Sequence, residues 1–147
     1  MWVRVTFSAP LTAHGADDVC HLATIGRRSG RWRLVELWFA TDGTRVYALA
    51  GGRDRAHWVR NLTADPRVRL RLGGQGGRTI DGVARVVSDA AEDARARQLV
   101  AAKYQGWAPG DDLSPWAATS LPVAVEAAQA ESIEPAAGIA PTRPGGQ

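Results

Sequence analysis

The chain has one cysteine, one methionine and one lysine, and no apolar run nears the ~18 consecutive residues that a membrane span takes. Cys20 alone excludes an internal disulfide and any site built from several thiolates. The three histidines, His14, His21 and His57, have no spacing that suits a shared metal, so no metal is expected. Neither Gly-x-Gly-x-x-Gly nor a Walker Gly-Lys-Ser/Thr occurs, which excludes the dinucleotide fingerprint and the phosphate loop of nucleotide hydrolases. No basic start leads into an apolar stretch and a cleavage site. The expected location is therefore the cytoplasm, without membrane association.

What is present is a globular composition. At 147 residues, 45% apolar, the chain suits one domain with a single buried core. The net charge of +3 fits a small anionic ligand, nucleic acid or plain solubility about equally. Arginine carries that charge: Lys103 is the exception among 18 basic residues. Six tryptophans are many for this length, and tryptophan is well suited to walling a flat, aromatic-sized pocket.

The densest chemistry lies in Gly26-Arg27-Arg28-Ser29-Gly30-Arg31-Trp32-Arg33, with four arginines, a hydroxyl and two glycines in eight residues. It falls between the apolar runs His21–Ile25 and Leu34–Ala40. Such a turn offers backbone N–H groups, a hydroxyl and guanidinium forks to one small volume, as a phosphate requires. A strand–turn–strand with merely exposed arginines has the same spacing. A second glycine- and arginine-rich segment, Ala50–Asn61, follows.

Alternation at Val3, Val5 and Phe7 predicts a short strand. Further strands are expected at Val19–Ile25, Arg33–Ala40 (its apolar run implying burial on both faces), Arg45–Ala50 after the Asp42-Gly43 turn, Arg67–Leu72, Thr79–Val87 and Leu121–Glu126. Asp54 is expected to cap a short helix through Trp58, Val59 and Leu62, ending before Pro66. Asp89 and Glu92 form a capping-box pattern ahead of a helix over Ala90–Tyr104, with Ala94, Leu99, Val100 and Ala102 as its apolar surface. Residues 127–147, rich in Ala, Pro and Gly, are expected to form a disordered tail after a domain spanning 1–126. Short connections favour antiparallel pairing, so the fold expected is mainly β: a barrel of about six strands with two flanking helices.

The run Leu22-Ala23-Thr24-x-Gly26-Arg27-Arg28-Ser29-Gly30-x-x-Arg33, then Leu37-Trp38-Phe39, Asp42-Gly43, Ala50-Gly51-Gly52 and Trp58-x-x-Asn61-Leu62-x-x-Asp65-Pro66-x-Val68, resembles the deazaflavin-dependent nitroreductases. These belong to the flavin- and deazaflavin-dependent oxidoreductases with the split β-barrel of pyridoxamine-phosphate oxidase. The resemblance runs from about Val19 to Val87 and continues more weakly to Val125. It implies an F420-dependent reductase passing hydride to a quinone, a nitroaromatic or another small conjugated acceptor. It implies that Arg27, Arg28, Ser29 and Arg33 hold the cofactor phosphate. Glu36, Leu37, Trp38, Leu49, Ala50, Gly51 and Gly52 would line the ring system, and His57, Trp58, Arg60 and Asn61 would close the site. Trp58 and Tyr104 are the candidates for the reacting side. Split barrels of this kind often pair, so a homodimer is a further expectation.

Two positions depart from that pattern. Glu36-Leu37 stands where Pro-Leu is usual, and a buried glutamate there would need a partner or would protonate. Trp58-Val59-Arg60-Asn61 replaces Trp-Tyr-His-Asn, which bears on the acceptor and not on the cofactor site. Three other readings share the residues. The arginine turn would hold FMN's phosphate equally well. A carrier would bind cofactor without turnover. A nucleic-acid-binding barrel would use Arg67, Arg69, Arg71, Arg78 and Arg85, although no aromatic residues interleave there.

Overall fold

Seven strands form one antiparallel sheet in the computed structural model, which describes residues 11, 13–74 and 77–128. In chain order they are β1 (Cys20–Ile25), β2 (Trp32–Leu37), β3 (Ala40–Thr41), β4 (Arg45–Ala50), β5 (Arg67–Leu72), β6 (Arg78–Val86) and β7 (Leu121–Ala127). A 3-10 turn at Arg53–Arg55 and the helix α1 (His57–Ala64) separate β4 from β5; α2 (Ala90–Gln105) and the short α3 (Pro115–Thr119) separate β6 from β7. The order in space is β2-β1-β5-β6-β7-β4-β3. β2 and β3 are consecutive in the chain yet occupy opposite ends of the sheet. The sheet therefore curls until its ends approach each other around residues 38–39, which gives the mainly β, split-barrel architecture. The expected strand at Val3–Phe7 lies outside the described residues, as does the expected 127–147 tail from residue 129 onward; Ala127 belongs instead to β7, where it pairs with Gly82.

That closure breaks the expected Arg33–Ala40 strand in two. Phe39, 0% exposed, sits in the break, and its backbone groups find partners on α2. Its N–H donates to the Tyr104 hydroxyl at 3.1 Å, and its carbonyl accepts from Lys103 Nζ at 2.9 Å. The same ammonium lies 3.7 Å from the centre of the Phe39 ring. The only lysine of the chain thus serves a buried carbonyl and an aromatic face together, a pairing that a compact ammonium on a flexible stem can make.

Burial corrects the expectation for β2. Instead of being buried on both faces, it is an end strand with Trp32 40% and Leu34 60% exposed. Among the described strands, β4 is buried on both faces, as is the middle of β7. Val46 and Ala50 point into the barrel with Leu22, Val68, Leu70, Leu72, Val123 and Val125, while Tyr47 and Leu49 pack outward against α2. The rule that a continuous apolar run is buried twice cannot say which of two such runs a helix will cover. β5 obeys its period, with Val68, Leu70 and Leu72 inward and Arg67 and Arg69 exposed. On the outer face, Arg69 lies 4.4 Å over the Trp32 ring and 3.5 Å from Asp81.

Two helix details also differ. Asp54 lies in the 3-10 turn, and Ala56 stands at the N-cap of α1 without a side-chain cap. Asp89 caps α2 as expected, accepting from Glu92 N at 2.9 Å. Glu92 does not reach back to complete the box. Its carboxylate takes both Arg85 nitrogens at 2.8 and 2.9 Å and the Tyr47 hydroxyl at 2.9 Å. The buried face of α2 is Ala96, Val100 and Ala101, whereas Ala94 and Ala102 are exposed. Alanine on every side of this helix left its stripe ambiguous.

Candidate anion-binding cleft

A cleft of about 600 Å³ opens where the β1–β2 turn meets α1. Its floor follows from hairpin register. Thr24 pairs with Arg33 and Leu22 with Val35, so Thr24, Arg33 and Val35 share the inner face. The turn is closed by Gly26 N–H to Arg31 O and Gly30 N–H to Gly26 O, both at 2.8 Å. Gly30 has φ +72°, the left-handed region that glycine enters without penalty. Ser29 Oγ accepts from Arg31 N–H at 3.2 Å and lies 3.5 Å from Arg33 Nη2. Ser29, Arg28 and Arg33 thus border one volume.

α1 supplies the other wall with His57, Trp58 and Asn61. Val59 and Leu62 anchor it in the barrel interior. Asn61 is 4% exposed and has partners for both ends of its amide. Its Nδ2 donates to Thr24 Oγ1 at 3.1 Å; its Oδ1 accepts from Arg27 N–H at 3.2 Å and from Arg27 Nη1 at 2.8 Å. Arg27 Nη2 donates to His57 Nδ1 at 3.2 Å. A buried amide satisfied in this way fixes the turn against the helix.

The arginines of the cleft differ from the ion-paired arginines of β4, β5, β6 and α2. Arg45, Arg67, Arg69, Arg85, Arg95 and Arg97 each have a carboxylate within 3.9 Å. Among the described residues, Arg27, Arg28, Arg31, Arg33, Arg53, Arg55, Arg60, Arg71 and Arg78 have none, and of these Arg27, Arg28 and Arg33 line the cleft. Glu36, expected to be buried, is exposed and faces His21, with 3.5 Å between His21 Nε2 and Glu36 Oε1. As the end of an outward-facing row, it needs no buried partner. A concave group of arginines without carboxylates carries a positive potential.

Seven of the expected residues line this cleft: Arg27, Arg28, Ser29, Arg33, His57, Trp58 and Asn61. The others lie elsewhere. Leu49 is in the core beneath α2 and Ala50 in the barrel interior, where Leu37 packs against it. Gly51 backs onto Trp116, whose Nε1 would be 3.1 Å from an added Cβ, whereas Gly52 has ordinary room for one. Arg60 donates to Asp54 O at 3.1 Å. Trp38 stacks on Tyr104 at 4.4 Å and meets Trp116 edge-on at 5.6 Å. The Tyr104 hydroxyl is committed to backbone, donating to Asp18 O at 2.6 Å while accepting from Phe39, and burial pushes its pKa up. Thr24, Gly26, Leu34 and Val35 also line the cleft and had not been singled out. Counting strand alternation back from the turn identifies Thr24 as the partner of Arg33 and Val35 as its neighbour on the same face.

Fold and site together define a split-barrel protein with a cleft bordered by arginines and a tryptophan. The chain belongs to the F420H(2)-dependent quinone reductase family, which it matches over residues 6–128. It is an F420-dependent reductase. Solved structures share the fold. A conserved hypothetical protein of Mycobacterium tuberculosis superposes with TM-score 0.63 at 20% identity, covering 96% of this chain and 94% of its own. A putative pyridoxamine 5'-phosphate oxidase of Listeria innocua gives 0.60 at 19%, covering 82% and 90%. An F420-H2-dependent reductase gives 0.54 at 24%, covering 75% and 94%.

The cleft fits that cofactor. Its arginines lack carboxylate partners, Ser29 and the turn offer neutral donors, and Trp58, Leu34 and Val35 give it an apolar side for a ring.

Proposed function

We propose that this reductase passes hydride from reduced F420 to a small quinone-like acceptor, with Arg28, Ser29 and Arg33 holding the cofactor phosphate and Trp58 walling the ring. The observation that carries the reading is the carboxylate-free arginine group bordering a cleft of about 600 Å³. Reduced deazaflavin supplies the hydride chemistry when bound. The chain's own residues bind, orient and exclude water. Charge-assisted bonds from Arg28 and Arg33 fix one end of the ligand. Trp58, with Leu34 and Val35, keeps the other end dry and flat against a wall. The acceptor must then meet the ring on its open face, and holding two reactants at near-contact distance contributes several kcal/mol, roughly 7 or more in favourable cases. No acid–base residue is required, consistent with a Tyr104 hydroxyl already engaged by backbone.

Stopped-flow oxidation of the reduced cofactor across quinones and nitroaromatics tests this, with FMN as competitor. Quinone-dependent oxidation that Trp58→Ala slows strongly is expected. Tight F420 binding without acceptor-dependent oxidation would instead make the chain a carrier, and preferential FMN binding would refute the cofactor assignment.

A further inference from the structure

Of the arginines at the turn, Arg27 is the one whose guanidinium is already occupied. Nη1 goes to Asn61 Oδ1 at 2.8 Å and Nη2 to His57 Nδ1 at 3.2 Å, and its backbone N–H also reaches Asn61 Oδ1 at 3.2 Å. Asn61 in turn holds Thr24, which is 0% exposed at the floor of the cleft. Arg28 makes no hydrogen bond among the described residues, and Arg33 has only a 3.5 Å approach to Ser29 Oγ.

We propose that Arg27 is a positioning residue and not an anion ligand: it clamps the β1–β2 turn to α1 and fixes the tautomer of His57. This rests on the reading of the cleft above for its consequence in binding, but the clamp itself is a property of the ligand-free protein. A guanidinium only donates, so His57 Nδ1 must accept, and the imidazole proton sits on Nε2. His57 lines the cleft, so its remaining nitrogen is a neutral donor to whatever enters. Lysine cannot replace Arg27 here. Its single ammonium lacks the planar fork that spans an amide oxygen and an imidazole nitrogen at once. Arg28, Ser29 and Arg33 remain as the anion-contacting set.

The test uses the full chain with Arg27→Lys, Arg27→Ala, Arg28→Ala, His57→Phe and the double variant Arg27→Ala/His57→Phe. F420 affinity is titrated against salt, and nitrogen-15 chemical shifts of the histidines are recorded without ligand. His57→Phe assigns the His57 signals. In the wild type His57 should show an unprotonated Nδ1, and this preference should be lost in both Arg27 variants. Both should bind F420 about tenfold more weakly with an unchanged salt slope, and the double variant should lose less than the product of the single losses. Arg28→Ala should flatten the slope, because it alone removes a contacting charge. Arg27→Lys binding like the wild type, with Arg27→Ala flattening the slope, would overturn the clamp, as would a His57 tautomer indifferent to Arg27. If Arg28→Ala leaves affinity and slope untouched while the tautomer still responds to Arg27, the clamp stands and the phosphate assignment falls.

Discussion

Lys103→Met offers a measurable test of how the barrel closes. Lys103 Nζ donates to the carbonyl of Phe39 at 2.9 Å, in a residue that is 0% exposed. Removing the ammonium leaves that carbonyl without a donor, which costs about 1–3 kcal/mol. The cation above the Phe39 ring at 3.7 Å is lost as well, and a partly desolvated contact of this kind contributes roughly 0.5–2 kcal/mol. Opposing both is the desolvation of the ammonium, which holds Lys103 below its usual pKa and is relieved in the variant. Methionine keeps most of the side-chain volume, so no large cavity term enters. The net is about 2 kcal/mol, which for a domain of this size lowers the melting midpoint by roughly 6–10 °C. Thermal and urea unfolding followed by circular dichroism read it directly. A midpoint within about 1 °C of wild type would refute the reasoning, because the carbonyl would then have another partner and the strand break would not depend on α2.

Arg28→Ala should weaken F420 binding about tenfold by fluorescence titration, as expected for one charge-assisted bond to a phosphate. Cys20 is 1% exposed and burial pushes its thiol up to about 12, so it should resist a thiol reagent in the native state and react at once in denaturant. Arg85 holds the Glu92 carboxyl below its usual range against the opposing effect of burial. A depressed carboxylate contributes stability above its unfolded pKa of about 4.3 and loses it as pH falls through the lower folded value. Urea midpoints of Glu92→Gln should therefore vary less with acid pH than those of wild type.

The elements that follow one rule were legible in the sequence. Strict alternation placed β5, an N-cap placed α2, and the Asp42-Gly43 turn placed β4. What was not legible depends on neighbours distant in the chain. Whether β2 or β4 would lie beneath a helix is decided by where α2 crosses the sheet, and both runs are equally apolar. The break at Trp38–Phe39 is set by closure of the sheet, which no local propensity records. At the cleft, residue type revealed the arginines, Ser29 and Trp58. Asn61 was noted for its place in a motif, but its burial beneath Arg27 and Thr24 became apparent only once a hairpin and a helix met. The residues expected around the ring from Glu36 to Gly52 do not border the cleft: Leu49 and Ala50 are buried, whereas Glu36, Trp38, Gly51 and Gly52 are exposed away from it. Adjacency in sequence to a site residue is a poor guide to adjacency in space once a barrel strand has turned.

Several ion pairs tie α2 to the sheet. Glu92 and Glu126 bind Arg85 and Arg45 on the side of the sheet under α2, where β4 and β7 meet it. Asp93 binds Arg97, which also ties the carbonyls of Ala117 and Ser120 to that helix. Arginines there have structural partners, so their loss would leave carboxylates and carbonyls unsatisfied. Around the β1–β2 turn the logic is opposite. Arg28, Arg31 and Arg33 have no ion-pair partner among the described residues, and their mutual repulsion in the free protein is unfavourable, if weakened by solvent and salt. On the proposed reading, an entering anion would remove that repulsion at the same moment as it forms new bonds. Affinity in such a site thus has two sources, one in the complex and one in the strain of the empty cleft. Substitutions there change binding without an equal loss of stability, whereas those beneath α2 do the reverse.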